Sequence, residues 1–350
     1  MCGRYLIAEG GCSSELSRRQ IRRKEGILGI DIRAERITDY SDIAGLNYDA
    51  FVRWHPAAFK AEPLLVDVLR HSPLFDPELS LVAEMDGRVV GHALFSPFDA
   101  IVLGARQRGV FLAPLCVAPA HQRQGIGSLL MDRGHEVARS KGYAFALLCG
   151  HPDYYPRFGY QQRMFSLSGC RVSLAPVRDS TPVYEERPVL ATDLNWITAL
   201  WREQHGHDSL ALYPGDTLSQ WFSHAPAWRS SVLSCAGQPV VYVRYKDADP
   251  VEVKELLVKE HADGEALAWL LGALGPGGGE VLLPQGPEMA AARLGRFAVS
   301  IADARQAHDA FMLKILDEHS PTLREYCAAV ATGRLPAGVM SFPASFDIGG

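Results

Sequence analysis

Leu112-Ala113-Pro114-Leu115-Cys116-Val117-Ala118-Pro119-Ala120-His121-Gln122-Arg123-Gln124-Gly125-Ile126-Gly127-Ser128 runs from an apolar strand through a short turn into a glycine-bearing loop that opens a helix. The first N–H groups of a helix have no intrahelical acceptor, and the positive end of the helix dipole lies beside them. A loop at that position suits a diphosphate. Gly125 and Gly127 carry no Cβ, so the backbone there can close on such a ligand. The spacing is too short for the dinucleotide fingerprint G-x-G-x-x-G, and the Lys-Ser/Thr of a nucleotide P-loop is missing.

Working outward, periodicity and turn residues predict a mixed α/β order. A strand is expected over 31–37, then a helix from the capping run Tyr40-Ser41-Asp42-Ile43 towards Trp54, stopped by His55-Pro56. A second helix is expected around Glu62 to Arg70. Leu79 to Met85 and Arg88 to Phe95 flank Asp86-Gly87, a hairpin signal. The strand Gly109 to Val117 leads into the glycine loop and a helix to about Lys141, ended by Gly142. Tyr143 to Cys149 reads as a short buried strand, Tyr154 to Tyr160 as a turn or short helix, and one more hairpin is expected towards Val172.

Gln122-Arg123-Gln124-Gly125-Ile126-Gly127 matches the Gln/Arg-x-x-Gly-x-Gly/Ala signature of the GCN5-related (GNAT) N-acetyltransferases. Leu112 to Val117 and His151 to Tyr160, with their P-L-x-V and Y-Y-x-R-F-G-F/Y patterns, most resemble the bacterial predicted-acetyltransferase branch. The resemblance covers residues 31–175. It implies a GNAT fold with a mixed α+β sheet and acetyl-CoA as co-substrate. It further implies direct transfer of the acetyl group to a primary amine on a small molecule or peptide. By the same resemblance the pyrophosphate falls to Gln122, Arg123, Gln124, Gly125, Ile126, Gly127 and Ser128. The backbone of Leu115, Cys116 and Val117 runs along the pantetheine, with the Val117 N–H polarising the thioester carbonyl.

Tyr155 takes the position of the family's general acid, which protonates the departing CoA thiolate. The other reading is that Tyr155 packs and Tyr154 faces the ligand. The Asn common on the approach to this Tyr is absent. No base is assigned: residues 111–117 contain no carboxylate, leaving His92, Asp99, Glu84 and His121 as candidates. Cys116 invites a nucleophile reading, but without a His/Asp partner in the motif it reads better as a small buried hydrophobe. A binding or regulatory module without turnover, and a transferase of a longer acyl group, remain the alternatives.

The second half echoes the first. Pro188 to Trp201 reads as a strand end and helix, Val232 to Val243 as a hairpin, and Glu255 to Val258 as a strand before a Leu-rich helix. Setting Val258 on Val117 places Leu270 and Leu271 on Leu129 and Leu130, and Asp263 to Ala268 on the glycine loop. Both glycines become Ala, and Asp263 and Glu265 add negative charge that repels a pyrophosphate. A tandem GNAT-like repeat with a degenerate second member is the expectation; the bland reading is that Leu-rich helices align readily.

The 350 residues exceed one average domain. The expected division is 1–30 as an N-terminal extension, 31–180 as the GNAT domain, 181–335 as the degenerate domain and 336–350 as a tail. Arg18, Arg19, Arg22, Arg23 and Lys24, broken by Glu15 and Glu25, suggest a solvated helical extension rather than a targeting peptide. Gly275-Pro276-Gly277-Gly278-Gly279 lacks Lys-Ser/Thr and reads as a connection. Val339, Met340, Phe342 and Phe346 equip the tail to dock. A net charge of −5 gives no basic field for nucleic acid, and no apolar run is long enough to span a membrane. Seven scattered cysteines without a C-x-x-C pair argue against a disulfide framework or a metal site and for the cytoplasm. A monomer and a homodimer are both compatible with the sequence.

Overall fold

The computed structural model describes residues 26, 29–52, 61–175, 184–248, 250–259, 263–274 and 279–347. The basic N-terminal cluster, the expected stop at His55-Pro56 and most of the Gly275 connection lie outside them. The chain divides into two compact units, Met1–Val66 with Asp76–Ser96 and Leu112–Lys141, and Asp67–Phe75 with Pro97–Phe111 and Gly142–Gly350.

The first part of the chain forms β1 (Ile30–Ala34), α1 (Tyr40–Phe51), α2 (Ala61–Arg70), β2 (Ser80–Met85), β3 (Arg88–Val102), β4 (Ala105–Val117) and α3 (Ile126–Ser140). In the first unit β1, β2 and β3 pair antiparallel in that order. Asp86 and Gly87 join β2 to β3 at φ of 52° and 73°, the left-handed pair that a two-residue hairpin requires. Arg33 grips Asp39 through two bonds of 2.6 and 3.0 Å, and the Arg36 N–H donates to the same carboxylate at 2.7 Å. This clamp fixes the turn from which α1 starts. α3 buries Ile126, Leu129, Leu130, Met131 and Ala138 at helical spacing. Burial of each large side chain among them is worth about 1.5–3 kcal/mol. Close packing shows at Gly91, where a Cβ would stand 3.0 Å from Leu130, and at Gly134, where it would fall 2.0 Å from Phe95.

The second unit adds β5 (Phe145–Cys149), β6 (Phe165–Ser166), β7 (Cys170–Leu174), β8 (Tyr184–Pro188), α4 (Leu194–His205), β9 (Leu210–Leu212), β10 (Trp228–Cys235), β11 (Gln238–Lys246) and β12 (Val251–Val258). After these come α5 (Asp263–Leu274), β13 (Glu280–Leu283), α6 (Pro287–Leu294), β14 (Ala298–Asp303), β15 (Phe311–Ile315), α7 (Pro321–Ala331) and β16 (Gly338–Val339). β5 runs parallel to β4 over Gly109–Phe111 and antiparallel to β15 along its other edge. A separate sheet has the order β14-β7-β13-β12-β11-β10-β8.

The hairpin expected towards Val172 does not form. β6 pairs with β16, and β7 inserts between β13 and β14. In return β15, which follows β14 in the chain, lies against β5. The first sheet thus takes β15, and β9 against β3, from the second half, and the other sheet takes β7 from the first. Cys170, Val172 and Leu174 all point inward, an alternation that serves either sheet equally well and so carries no information about which one it joins.

The repeat read in the sequence is present in three dimensions. Arg187 holds Asp193 at 2.7 and 2.8 Å while the Leu190 N–H donates to Asp193, and α4 follows at once. Ala236-Gly237, at φ of 49° and 75°, turns β10 into β11 as Asp86-Gly87 turns β2 into β3. The tail docks: Phe342 and Phe346 stand edge-on to Phe111, with centroids at 4.9 and 5.3 Å. Asp347, 1% exposed, is held between Arg244 at 3.3 Å and Lys254 at 2.9 Å.

Candidate active site

In the first unit, β4 ends at Val117, Pro119–His121 form a 3-10 turn, and Gly125 caps α3. Gly125 sits at φ 89°, ψ −1°, and its carbonyl accepts the N–H groups of Ser128 (3.0 Å) and Leu129 (3.2 Å). A Cβ there would meet nothing within 4 Å, so the left-handed backbone, not crowding, reserves the position for glycine. Arg123 is also left-handed, at φ 62°. Gln122, Arg123, Gln124 and Gly125 are exposed, Gly127 and Ser128 half-buried, and Ile126 anchors the loop in the core. Two side chains brace it: Gln122 Nε2 donates to the Val117 carbonyl at 3.1 Å and Gln124 Nε2 to the Ala120 carbonyl at 3.4 Å.

The edge of β4 has a defined polarity. The Ala118 N–H donates to the Val90 carbonyl on β3 at 2.9 Å. Backbone groups alternate between edges along a strand, so the N–H and C=O of Val117 point away from β3. Leu115 shares that orientation, and both side chains are half-buried while Cys116 between them is buried. The β4–β5 ladder has its last pair at Phe111↔Leu147.

Behind this edge lies a polar chain with no local signature in the sequence. The Cys116 thiol donates to Asn47 Oδ1 at 3.4 Å; Asn47 Nδ2 donates to the Ile43 carbonyl at 2.9 Å and faces His92 Nδ1 at 3.3 Å. His92 Nε2 lies 3.1 Å from Ser80 Oγ and 3.8 Å from Glu35 Oε2. Burial drives the Cys116 thiol far above its ordinary pKa, which disfavours the thiolate that a nucleophile needs.

The candidate bases fare differently. His92 is wholly buried in that chain, and Glu84 is tied to Arg33 at 2.6 Å. His121 is half-buried in the turn before the loop, with Nδ1 shielded and without a hydrogen-bond partner among the described residues. Asp99 is exposed and belongs to the second unit.

Tyr155 also belongs to the second unit. It opens the 3-10 turn Tyr155–Phe158, which Gly159 closes at φ 85° and whose Phe158 carbonyl accepts from Lys314. Its ring meets those of Tyr154 edge-on at 5.0 Å and Tyr160 at 6.0 Å. A Cβ at Gly150 would fall 2.2 Å from it. Burial, with a smaller contribution from Tyr154, pushes the Tyr155 phenol up, so it stays protonated across the physiological range. The Tyr154 ring is covered by the Arg157 guanidinium at 4.1 Å.

In the second half the corresponding loop is gone. α5 starts at Asp263, so Ala266 and Ala268 lie inside the helix, buried at 0% and 2%, where the register places Gly125 and Gly127. Gln204 reaches across from α4 to cap the Val258 carbonyl at 2.8 Å, as Gln122 caps that of Val117. Among the described residues, no three His, Cys, Asp or Glu side chains converge as metal ligands would, and no helix is long and apolar enough to cross a membrane.

A family model described as an acetyltransferase (GNAT) domain matches residues 39–163. Over 127 residues the chain is 35% identical to YjhQ of Escherichia coli K12, described as an uncharacterized N-acetyltransferase; the match spans 36% of this chain and 67% of that protein. A solved GCN5-related N-acetyltransferase from Kribbella flavida superposes with a TM-score of 0.57 at 20% identity, covering 83% of this chain and 72% of that one. Eis1 from Mycobacterium abscessus superposes with a TM-score of 0.56 at 20% identity, over 82% and 74% of the two chains. At that identity these structures speak to the fold alone, and they extend over both halves of this chain.

Proposed function

This chain belongs to the GNAT family of N-acetyltransferases, and we propose that it moves the acetyl group of acetyl-CoA, held at Leu115–Val117 and Gln122–Ser128, directly to a primary amine. The observation that carries this reading is the polarity of the β4 edge. The Val117 carbonyl, which would repel an acyl oxygen, is capped by Gln122, while the Val117 N–H faces the same edge. The backbone of Leu115 and Val117 is thereby equipped to pair with the amides of pantetheine as an added strand. The loop that follows presents helix N-terminal N–H groups and Arg123 to the pyrophosphate.

In the reaction the neutral amine adds to the thioester carbonyl, and negative charge gathers on the acyl oxygen, where the Val117 N–H stabilises it. Collapse of the adduct breaks the C–S bond. Tyr155, kept protonated by its burial, gives its proton to the departing thiolate and recovers one from the amine through solvent. No carboxylate or imidazole is assigned as base. That gap is the one observation favouring the second reading, an acyl-CoA-binding module without turnover. The acyl length is likewise a proposal, since strand contacts to pantetheine do not measure it.

The test is calorimetric binding of acetyl-CoA to wild type, Gly125→Glu and Gly127→Glu, followed by a screen of amines read out as free CoA. Micromolar binding lost in both variants, with CoA released only when an amine is present, supports the transferase. Binding without release by any amine supports the module, and failure of folded wild type to bind removes both readings.

A further inference from the structure

The two halves share one scaffold but fill its centre differently. Asn47 lies on α1 eight residues after the clamp residue Asp39, and Trp201 lies on α4 eight residues after Asp193. His92 stands five residues beyond Gly87 and Tyr242 five beyond Gly237, while Cys116 and Leu257 each precede the last valine of their strand. The equivalents of the polar set Asn47, His92 and Cys116 are therefore Trp201, Tyr242 and Leu257, which sit together in one apolar cluster. At these three positions the second half closes without a polar chain. Burying one in the other costs free energy that apolar packing avoids, so its presence calls for a reason beyond folding.

The hydrogen-bond directions supply that reason. An amide nitrogen only donates, so His92 Nδ1 accepts from Asn47 and the imidazole carries its proton on Nε2, facing Ser80. Asn47 Nδ2 is also fixed to the Ile43 carbonyl of its own helix at 2.9 Å. With both donors committed, its Oδ1 is aimed at the Cys116 thiol, which sits between Leu115 and Val117 on β4. Asn47 thus holds the strand from the face opposite its half-buried side chains. Rotation of β4 about its axis, which would swing the Val117 N–H off the edge, breaks this bond.

Resting on the acetyl-CoA reading of the β4 edge, we propose that Asn47 is a positioning residue for acetyl transfer: by fixing Cys116 it keeps the Val117 N–H aimed at the acyl oxygen. His92 acts one step further back, by locking the Asn47 amide. The degenerate half, with Leu257 in place of Cys116, has given up this control along with its glycine loop.

The experiment uses acetyl-CoA labelled with carbon-13 at the thioester carbonyl and difference infrared spectroscopy on the full chain, with calorimetric binding of acetyl-CoA and of CoA alongside. Wild type is expected to move the carbonyl band of bound acetyl-CoA to lower frequency than in water. Asn47→Leu and Cys116→Ala are expected to bind CoA within about threefold of wild type and to lose that displacement. Cys116→Ala removes a single sulfur atom and carries the test if Asn47→Leu does not fold. A purely structural role would lower the thermal midpoint and leave the band of the bound ligand in place. Folded variants that bind acetyl-CoA with the wild-type band overturn the inference. Wild type that binds but shows no displacement also overturns it, while wild type that binds neither ligand fails earlier, at the cofactor reading itself.

Discussion

Gln122 donates its side-chain amide to the carbonyl oxygen of Val117 over 3.1 Å, five residues back along the chain. The bond does two things at once: it ties the glycine loop to the strand that precedes it, and in the proposed site it occupies the carbonyl that would oppose an acyl oxygen. Gln122→Ala is expected to fold normally and to bind acetyl-CoA about 3–10-fold more weakly, the worth of one partly exposed hydrogen bond. Calorimetry measures it, and unchanged affinity would remove Gln122 from the site.

Two glycine substitutions should separate ligand binding from stability. Gly125→Ala meets no neighbour but forces an L-residue to φ 89°, at a cost of about 1–2 kcal/mol that the loop can relieve by moving. Weakened acetyl-CoA binding with a small change in thermal midpoint is expected. Gly134→Ala drives a Cβ into the Phe95 ring, 2.0 Å away, and should cost about 1–3 kcal/mol or more of stability. Its loop is untouched, so affinity measured below the new midpoint should match wild type.

Tyr155→Phe should leave acetyl-CoA affinity intact and lower turnover about 10²–10⁴-fold once an acceptor is found. Because burial raises the phenol above its ordinary value of 10, ionisation of Tyr155 should cause no fall in rate below that pH. A Tyr155→Phe enzyme of wild-type turnover would return the acid to Tyr154 or to water.

His205 offers a pH test of the second half. Burial alone would lower its pKa, but Glu255 at 3.3 Å and Asp208 at 2.7 Å overcome that and hold it up to about 10, against 6.5 for the free side chain. A group whose pKa is raised by folding stabilises the native state fully below its unfolded pKa and loses that contribution as pH climbs through the folded one. The thermal midpoint of wild type should therefore fall as pH rises from about 6.5 to about 10. His205→Gln should flatten that slope; an unaltered slope would assign it to other groups.

What was legible in the sequence is what is local. The glycine loop, the Asp86-Gly87 hairpin and the periodicity of Ile126 to Ser140 each fit within a few turns of chain, where backbone preference and side-chain spacing speak directly. The strand exchange was not legible, because Cys170–Leu174 carries the inward alternation of any half-buried strand and nothing in it names a partner. Nor was the chain from Cys116 to His92, whose members are separated by 69 and 45 residues and meet only once α1 is packed. The same packing removes His92 and Glu84 from the list of bases, one into the core and the other to Arg33.

The exchange of β7 and β15 bears on how such a pair can evolve. A duplicated half that shares no strand with its neighbour is free to be shed. This one is not: β5 takes its outer neighbour from after β14, and the other sheet closes around β7, a strand encoded before it begins. Deleting the second half would take β15 and β9 from the first sheet and leave β7 with neither neighbour. The second copy is bound to the first, because the two halves share custody of their edges.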